Sequence, residues 1–275
     1  SVQSVAIGQL TLAQRLYGTA PFLRISSLCG NPNRLASLLM ITITFTVFVC
    51  MRVSRKTFWV VLGGVQGLAL LLSYSRAGIF STALAVFLLW CVSAPSRRIC
   101  RRRGAIAAVL GVLAVLLWVG VGTEYPQSER FNLDLNARDE AWRVLGTSIS
   151  QTPLLGVGFG VSSEAILEPA NVGGGGHNAY LQLLSEIGLL GFGLFVVVAG
   201  MPLLYGMRRL RVLRGAKRQV ISTGLALGLA WIPHQLFEGT LLRYDYSSLI
   251  WVYVMAVLVH PALKQEVVVP RCLSA

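Results

Sequence analysis

The sequence predicts an all-α fold, a polytopic transmembrane helical bundle of about seven spans with one long, partly helical loop on the non-cytoplasmic side. Three observations carry this prediction. The 275 residues are 55% hydrophobic and only 13% charged, with a mean hydropathy of +0.66; ordinary soluble domains carry roughly 25% charged residues. The apolar residues come in unbroken blocks rather than at the spacing of an amphipathic helix or strand. The basic residues gather in alternate gaps between those blocks.

A bilayer core takes about 20 apolar residues as a helix. Seven blocks approach that length, at residues 35–51, 57–74, 78–94, 104–122, 179–206, 219–237 and 247–262. Each must be helical. Lipid cannot satisfy an open backbone, and the period-2 pattern of a membrane barrel is missing.

Orientation follows from the gaps. Arg52, Arg55 and Lys56 follow the first block, and Arg97, Arg98, Arg101, Arg102 and Arg103 follow the third. Arg208, Arg209, Arg211, Arg214, Lys217 and Arg218 follow the fifth, with Lys264 and Arg271 after the last. These are sixteen of the 24 basic residues, and the positive-inside rule makes their loops cytoplasmic. The net charge of +13 is therefore a topology signal first. A nucleic-acid surface would gather that charge on one face with stacking aromatics, so nucleic acid is not an expected partner.

The remaining gaps face outward: residues 1–34, the turn Ser75-Arg76-Ala77, the long loop 123–178 and the short loop 238–246. The chain is expected to form a single transmembrane domain over 1–275, with 123–178 as the outer loop between spans four and five. A connection that long is functional or disordered, and its composition favours order. Residues 136–151 read as a helix that Asp134 or Asn136 can cap, with Asp139 and Glu140 in the first turn, where acids suit the helix dipole. Arg138, Trp142 and Leu145 share one face of it, and Pro153 ends it.

Two glycine stretches follow, PLLGVGFG (153–160) and Gly173 to Gly176. The first lacks the Lys-Ser/Thr of a nucleotide loop and faces the wrong compartment for ATP, so it reads as a turn packing on the membrane surface. The second gives the backbone before His177 unusual freedom.

Cys29, Cys50, Cys91, Cys100 and Cys272 form no C-x-x-C pair and no His/Cys cluster with metal spacing. Neither a metal site nor a bound cofactor is expected. Residues 1–30 show no charged n-region followed by an apolar h-region. The start at Ser1 reads as an entry into a longer chain.

With topology assigned, Arg76, Arg138 and His177 share the outer face at the membrane surface. Two guanidiniums beside an imidazole suit a lipid diphosphate whose headgroup lies at that depth. Arginine grips phosphate oxygens in bidentate fashion and keeps its charge, so it can offset charge building on a departing diphosphate. A neutral histidine can take a proton from an attacking hydroxyl.

Plainer readings stand beside these. An arginine near a span end is often a snorkelling anchor, Arg138 can pair with Asp134 or Glu140, and a lone interfacial histidine is often structural. Asn178, Tyr180, His234 and Arg243 are further candidates for substrate contact. Arg243 can instead pair with Asp245 or Glu238. Glu186 lies on the opposite helix face from His177, which favours packing or pairing for it.

Several segments in order resemble one family. They are Asn31-Pro32-Asn33, Ser75-Arg76-Ala77-Gly78, RDEAW from Arg138 to Trp142, PLLGVGFG, and HNAYLQLLSEIGLLG from His177 to Gly191, with a looser echo in His234 to Glu238. Over roughly residues 22–200 the chain resembles the O-antigen ligase and polymerase family of glycosyltransferases. The resemblance implies a metal-independent enzyme of the inner membrane, with its active face in the periplasm. It implies a glycan donor linked to undecaprenyl diphosphate, and an acceptor hydroxyl on lipid A-core, on a growing glycan or on a protein. It also implies Arg76 and Arg138 on the diphosphate and His177 as the base. Family members usually have ten or more spans, so the chain is expected to be the C-terminal part of such an enzyme. A transporter, or a catalytically inert remnant, are the readings of other classes. Midmembrane half-helices, inverted repeats and buried charges would mark a transporter, and the sequence gives no sign of them.

Overall fold

A computed structural model describes residues 2–7, 10–15, 25, 29, 31–94, 98, 99, 102, 138–170, 172, 176–239 and 246–261. The expected fourth span, 104–122, lies outside the described residues. So do Asp134, Asn136, Gly173 to Gly175, Arg243 and Asp245.

Six described helices fall on the six remaining apolar blocks. They are α1 (Pro32–Cys50), α2 (Thr57–Ser73), α3 (Arg76–Val92), α5 (Ala179–Arg209), α6 (Gly215–His234) and α7 (Tyr246–Val259). The loop helix, α4, runs Arg138–Gln151 with Asp139 and Glu140 in its first turn, as expected. A single π-helical turn, Ser163–Leu167, follows it.

One element departs from the all-α expectation. Val2–Ile7 (β1) and Leu10–Arg15 (β2) pair antiparallel, with Val2 opposite Arg15 and Ile7 opposite Leu10. Val2, Val5, Ile7 and Thr11 are β-branched, which favours a pleated strand. The stretch is too short to stand out beside apolar blocks three times its length.

The helices pack around α6, whose residues from Ile221 to Gly228 are all buried. Ile221, Leu225 and Trp231 of α6 meet Met40 and Ile41 of α1, Ala85 of α3, Leu203 of α5, and Met255 and Leu258 of α7 in one core. A second cluster joins α1 to α2 and α3 through Leu35, Ala36, Leu39 and Leu70.

The outer surface of the bundle is apolar instead of charged. Phe58, Val61, Val65 and Leu68 of α2 are exposed, as are Leu190, Leu194, Val197 and Met201 of α5 and Leu249, Val252 and Tyr253 of α7. Water would penalise so large an apolar surface. Among the described residues two helices, Pro32–Cys50 and Ala179–Arg209, are long and apolar enough to cross a membrane.

Two arginines of the basic loops also close helix ends. Arg209 donates to the carbonyls of Leu258 (2.9 Å) and His260 (3.1 Å), and Arg218 donates to that of Val92 (3.3 Å). The last carbonyls of a helix have no partner inside it, and a cation there also suits the dipole.

The long helix α5 is not continuous. Gly188 sits at φ 62°, ψ −173°, a region essentially confined to glycine. The break frees two amides and two carbonyls, and the 153–158 loop takes all four. Leu189 N–H donates to Pro153 O (2.8 Å) and Leu190 N–H to Leu154 O (3.3 Å). Val157 N–H donates to Ser185 O (3.0 Å) and Gly158 N–H to Glu186 O (2.9 Å). The approach is close enough that a Cβ on Gly188 would lie 2.3 Å from the Leu154 backbone, and one on Gly156 2.4 Å from that of Glu186. The stretch PLLGVGFG therefore does pack as a turn, and its partner is the interrupted helix. Glu186, beside the break, accepts from the Ser162 hydroxyl at 2.5 Å. This is the pairing role its helix face suggested.

Candidate functional site

Arg76 is the first residue of α3, at the tip of the α2–α3 hairpin. Tyr74 turns the chain in the left-handed region (φ 50°), and the Ser75 side chain caps the new helix by accepting from Gly78 N–H (3.3 Å). Gly78 lies so near Ala36 of α1 that a Cβ there would sit 2.4 Å from the alanine methyl. The tip is thus pinned to α1, and the Arg76 side chain is exposed.

Arg138 opens α4. The buried side of that helix, Ala141 and Leu145, packs on Ile166 and Leu167 of the π-turn. Its nearer face is hung on two other segments. Trp142 Nε1–H donates to Gly176 O (2.9 Å), and the Trp142 ring lies 6.4 Å from that of Phe237. Arg138 Nη2 lies 3.6 Å from Glu238 Oε1, with 19% and 7% of the two side chains exposed. Glu140 instead pairs with Arg143 on the open surface, and so is not the partner of Arg138. Burial holds the Arg138 guanidinium below the ordinary arginine range; the Glu238 carboxylate opposes that shift, and the nearby charge of Arg76 adds to it. Arg76 and Arg138, 62 residues apart, are therefore close enough to feel each other's charge.

His177 stands between the glycine run and α5. It is half-buried, and its backbone lies in the left-handed region at φ 46°. Such a conformation is uncommon for a residue with a side chain, and strained residues concentrate at functional sites. The next turn is organised by the loop after α6. Ala179 N–H donates to both Gln235 O (2.9 Å) and Glu238 O (3.1 Å), and a Cβ on Gly239 would lie 3.9 Å from His177 N. Glu238 thus reaches Arg138 with its carboxylate while its carbonyl caps the helix that begins beside His177.

The other candidates have structural work. Asn178 is buried and caps α5, accepting from Tyr180 N–H (3.0 Å) and Leu181 N–H (3.1 Å). Tyr180 donates its hydroxyl to Ile232 O (2.8 Å), tying α5 to α6. His234 is fully buried among the described residues. Its Nε2 lies 3.2 Å from Ser37 Oγ and its Nδ1 3.2 Å from Gln235 Nε2. Ser37 donates its hydroxyl to Asn33 O, so the ring donates through Nε2 and accepts the Gln235 amide at Nδ1. His234 is a neutral latch between α1 and α6.

Gln182 was not singled out by sequence. It is buried one turn into α5, packed against Gly176 and Gly239, and its Nε2 has no hydrogen-bond partner among the described residues. A cavity of about 410 Å³, lined by Arg143, Thr147, Gln151, Val157 and Ile166, opens on α4. Arg143 and Thr147 are turned roughly 140° and 180° around the helix from Arg138, so this cavity lies away from the arginine pair. No group of three or more potential metal ligands occurs among the described residues.

The chemistry available at the cluster is anion binding beside a base. The Arg138 guanidinium faces the Glu238 carboxylate within range of the Arg76 charge, and an imidazole stands on the adjoining turn. Residues 58–196 match a family model described as O-Antigen ligase, a stretch that contains Arg76, Arg138 and His177 as well as the break at Gly188. No curated protein matches the chain.

Proposed function

The chain belongs to the O-antigen ligase family, and from that premise we propose that it is a glycosyltransferase of the inner membrane, moving a glycan from undecaprenyl diphosphate to an acceptor hydroxyl. The observation that carries this reading is the ion pair of Arg138 with Glu238 beside the loop of His177, within range of the Arg76 charge. A pair of arginines at the end of a helical bundle suits a diphosphate held at the lipid headgroup level.

In the proposed reaction His177 takes the proton of the acceptor hydroxyl, whose oxygen attacks the anomeric carbon. The bond from that carbon to the diphosphate oxygen breaks, and the electron pair leaves with the diphosphate. Arg76 and Arg138 offset the charge that builds there, which lowers the barrier because their attraction grows as the bond breaks. The ligase acceptor is a lipid A-core hydroxyl. With seven spans, 104–122 among them, this face is periplasmic, and the basic loops on the opposite side support that orientation.

The test is glycan transfer in cells lacking their own ligase, with His177→Ala and Arg138→Ala in the intact protein. Loss of lipopolysaccharide-linked glycan at unchanged protein level is the expected result. Full transfer by either variant would sink the assigned roles.

A further inference from the structure

The loop 153–160 leaves its apolar side chains uncovered. Leu155 is 75% exposed, and Leu154 and Phe159 are 57% and 59% exposed. The stretch from Thr152 to Ser163 contains no charged residue. Through its backbone the loop is docked on residues 185–190 of α5, where Leu189 and Leu190 are exposed in their turn. Its apolar surface therefore runs on into the exposed side of α5 at Leu194, Val197 and Met201.

Irregular backbone is excluded from lipid when its polar groups are unsatisfied, at a cost of several kcal/mol for each. At the break in α5 that obstacle is removed. The break at Gly188 and the loop exchange four hydrogen bonds, so the groups that the break frees are paired without water. The one acid at the break, Glu186, is buried and accepts from Ser162.

We propose that residues 153–160 form a wedge seated in the bilayer, with Leu154, Leu155 and Phe159 among the acyl chains as a continuation of the lipid-facing side of α5. The partner is the hydrocarbon edge of the outer leaflet. The inference rests on the membrane reading above and adds a segment to it that no span contains. By this account the clamp between loop and broken helix holds α4, and with it Arg138, at a set height above the lipid.

Single cysteines test it in the full chain, in native membranes and in vesicles with brominated acyl chains. The variants are Leu155→Cys and Phe159→Cys, with Ser150→Cys on the exposed side of α4 as the aqueous control and Val197→Cys as the control within α5. Labelling is scored above that of the parent chain. Both wedge positions are expected to react at least about tenfold more slowly than Ser150→Cys with a charged, impermeant maleimide, and to react fully in denaturing detergent. A permeant bimane at both positions is expected to be quenched by the brominated lipid, as it is at Val197→Cys. Reaction at the rate of the aqueous control, with quenching only at Val197→Cys, would overturn the wedge and leave the spans standing. Protection from maleimide without quenching would overturn it too, since protein would then cover the loop. Absence of quenching at Val197→Cys would overturn the membrane reading itself, and the wedge with it.

Discussion

Arg138 and Glu238 stand 3.6 Å apart, joining the outer loop helix to the segment after α6 across 100 residues of chain. Both side chains are largely buried, and removing one partner of such a pair costs about 3–5 kcal/mol when burial is complete. Glu238→Gln keeps the shape and removes the charge that offsets Arg138. Transfer is expected to fall at least about tenfold, equal to about 1.4 kcal/mol, at an unchanged protein level. The double swap Arg138→Glu with Glu238→Arg distinguishes the roles. It would rescue a pair that is only structural, and is expected to leave transfer abolished because the guanidinium then faces away from the donor.

His177 holds a left-handed backbone that disfavours any side chain by roughly 1–2 kcal/mol. His177→Gly relieves that strain and removes the imidazole. Thermal unfolding in detergent is expected to shift upward or stay level, while transfer is lost. Retained transfer in His177→Gly would show that the ring is not the base.

Lysine substitutions separate charge from geometry at the two arginines. Arg76→Lys and Arg138→Lys keep a cation and lose the bidentate fork that matches phosphate oxygens. Transfer is expected to drop by about 10- to 100-fold in each, by analogy with the loss of one donor at a developing oxyanion. Ala in place of Lys should be worse. Kinetics on purified donor and acceptor would show the loss in kcat as well as in KM.

The clamp on α5 predicts that two glycines cannot be replaced. A methyl on Gly188 would meet the Leu154 backbone at 2.3 Å in a glycine-only conformation, and one on Gly156 would meet Glu186 at 2.4 Å with φ 69°. Gly188→Ala and Gly156→Ala are each expected to cost about 2 kcal/mol or more. Limited proteolysis should then cut within 152–160 faster than in the parent chain.

The latch at His234 predicts a loss of stability. His234→Phe keeps the ring volume and leaves the buried Ser37 and Gln235 groups without this partner, a penalty of about 1–3 kcal/mol. A lower melting temperature is expected, with kcat per folded molecule unchanged. A selective fall in kcat would return His234 to the site.

The helices were legible because a span is set by the length of an apolar run, and α1, α2 and α3 end within three residues of their blocks. Arg76 was legible for the same reason, since two adjoining runs leave room only for a turn. The break at Gly188 was hidden because the run around it, Ile187 to Leu190, is as apolar as any helix interior. Only the second strand of backbone from 153–158 makes the interruption stable, and composition does not record such a partner. The pairing of Arg138 with Glu238 was hidden by distance along the chain, where nearer acids such as Glu140 offered equal charge. Asn178 and His234 drew notice as polar residues at the outer face, although capping and latching use the same chemistry as substrate contact.

The segment from Ala179 to Ile187 is a rigid spacer of about 14 Å, at 1.5 Å per residue, between the histidine and the point where the loop grips the helix. It acts as a gauge. Inserting one residue there would lift His177 by about 1.5 Å and rotate it by about 100° relative to the clamp. The chain can therefore tolerate changes of side chain along this turn more readily than changes of length, because length alone sets both the height and the bearing of the His177 ring.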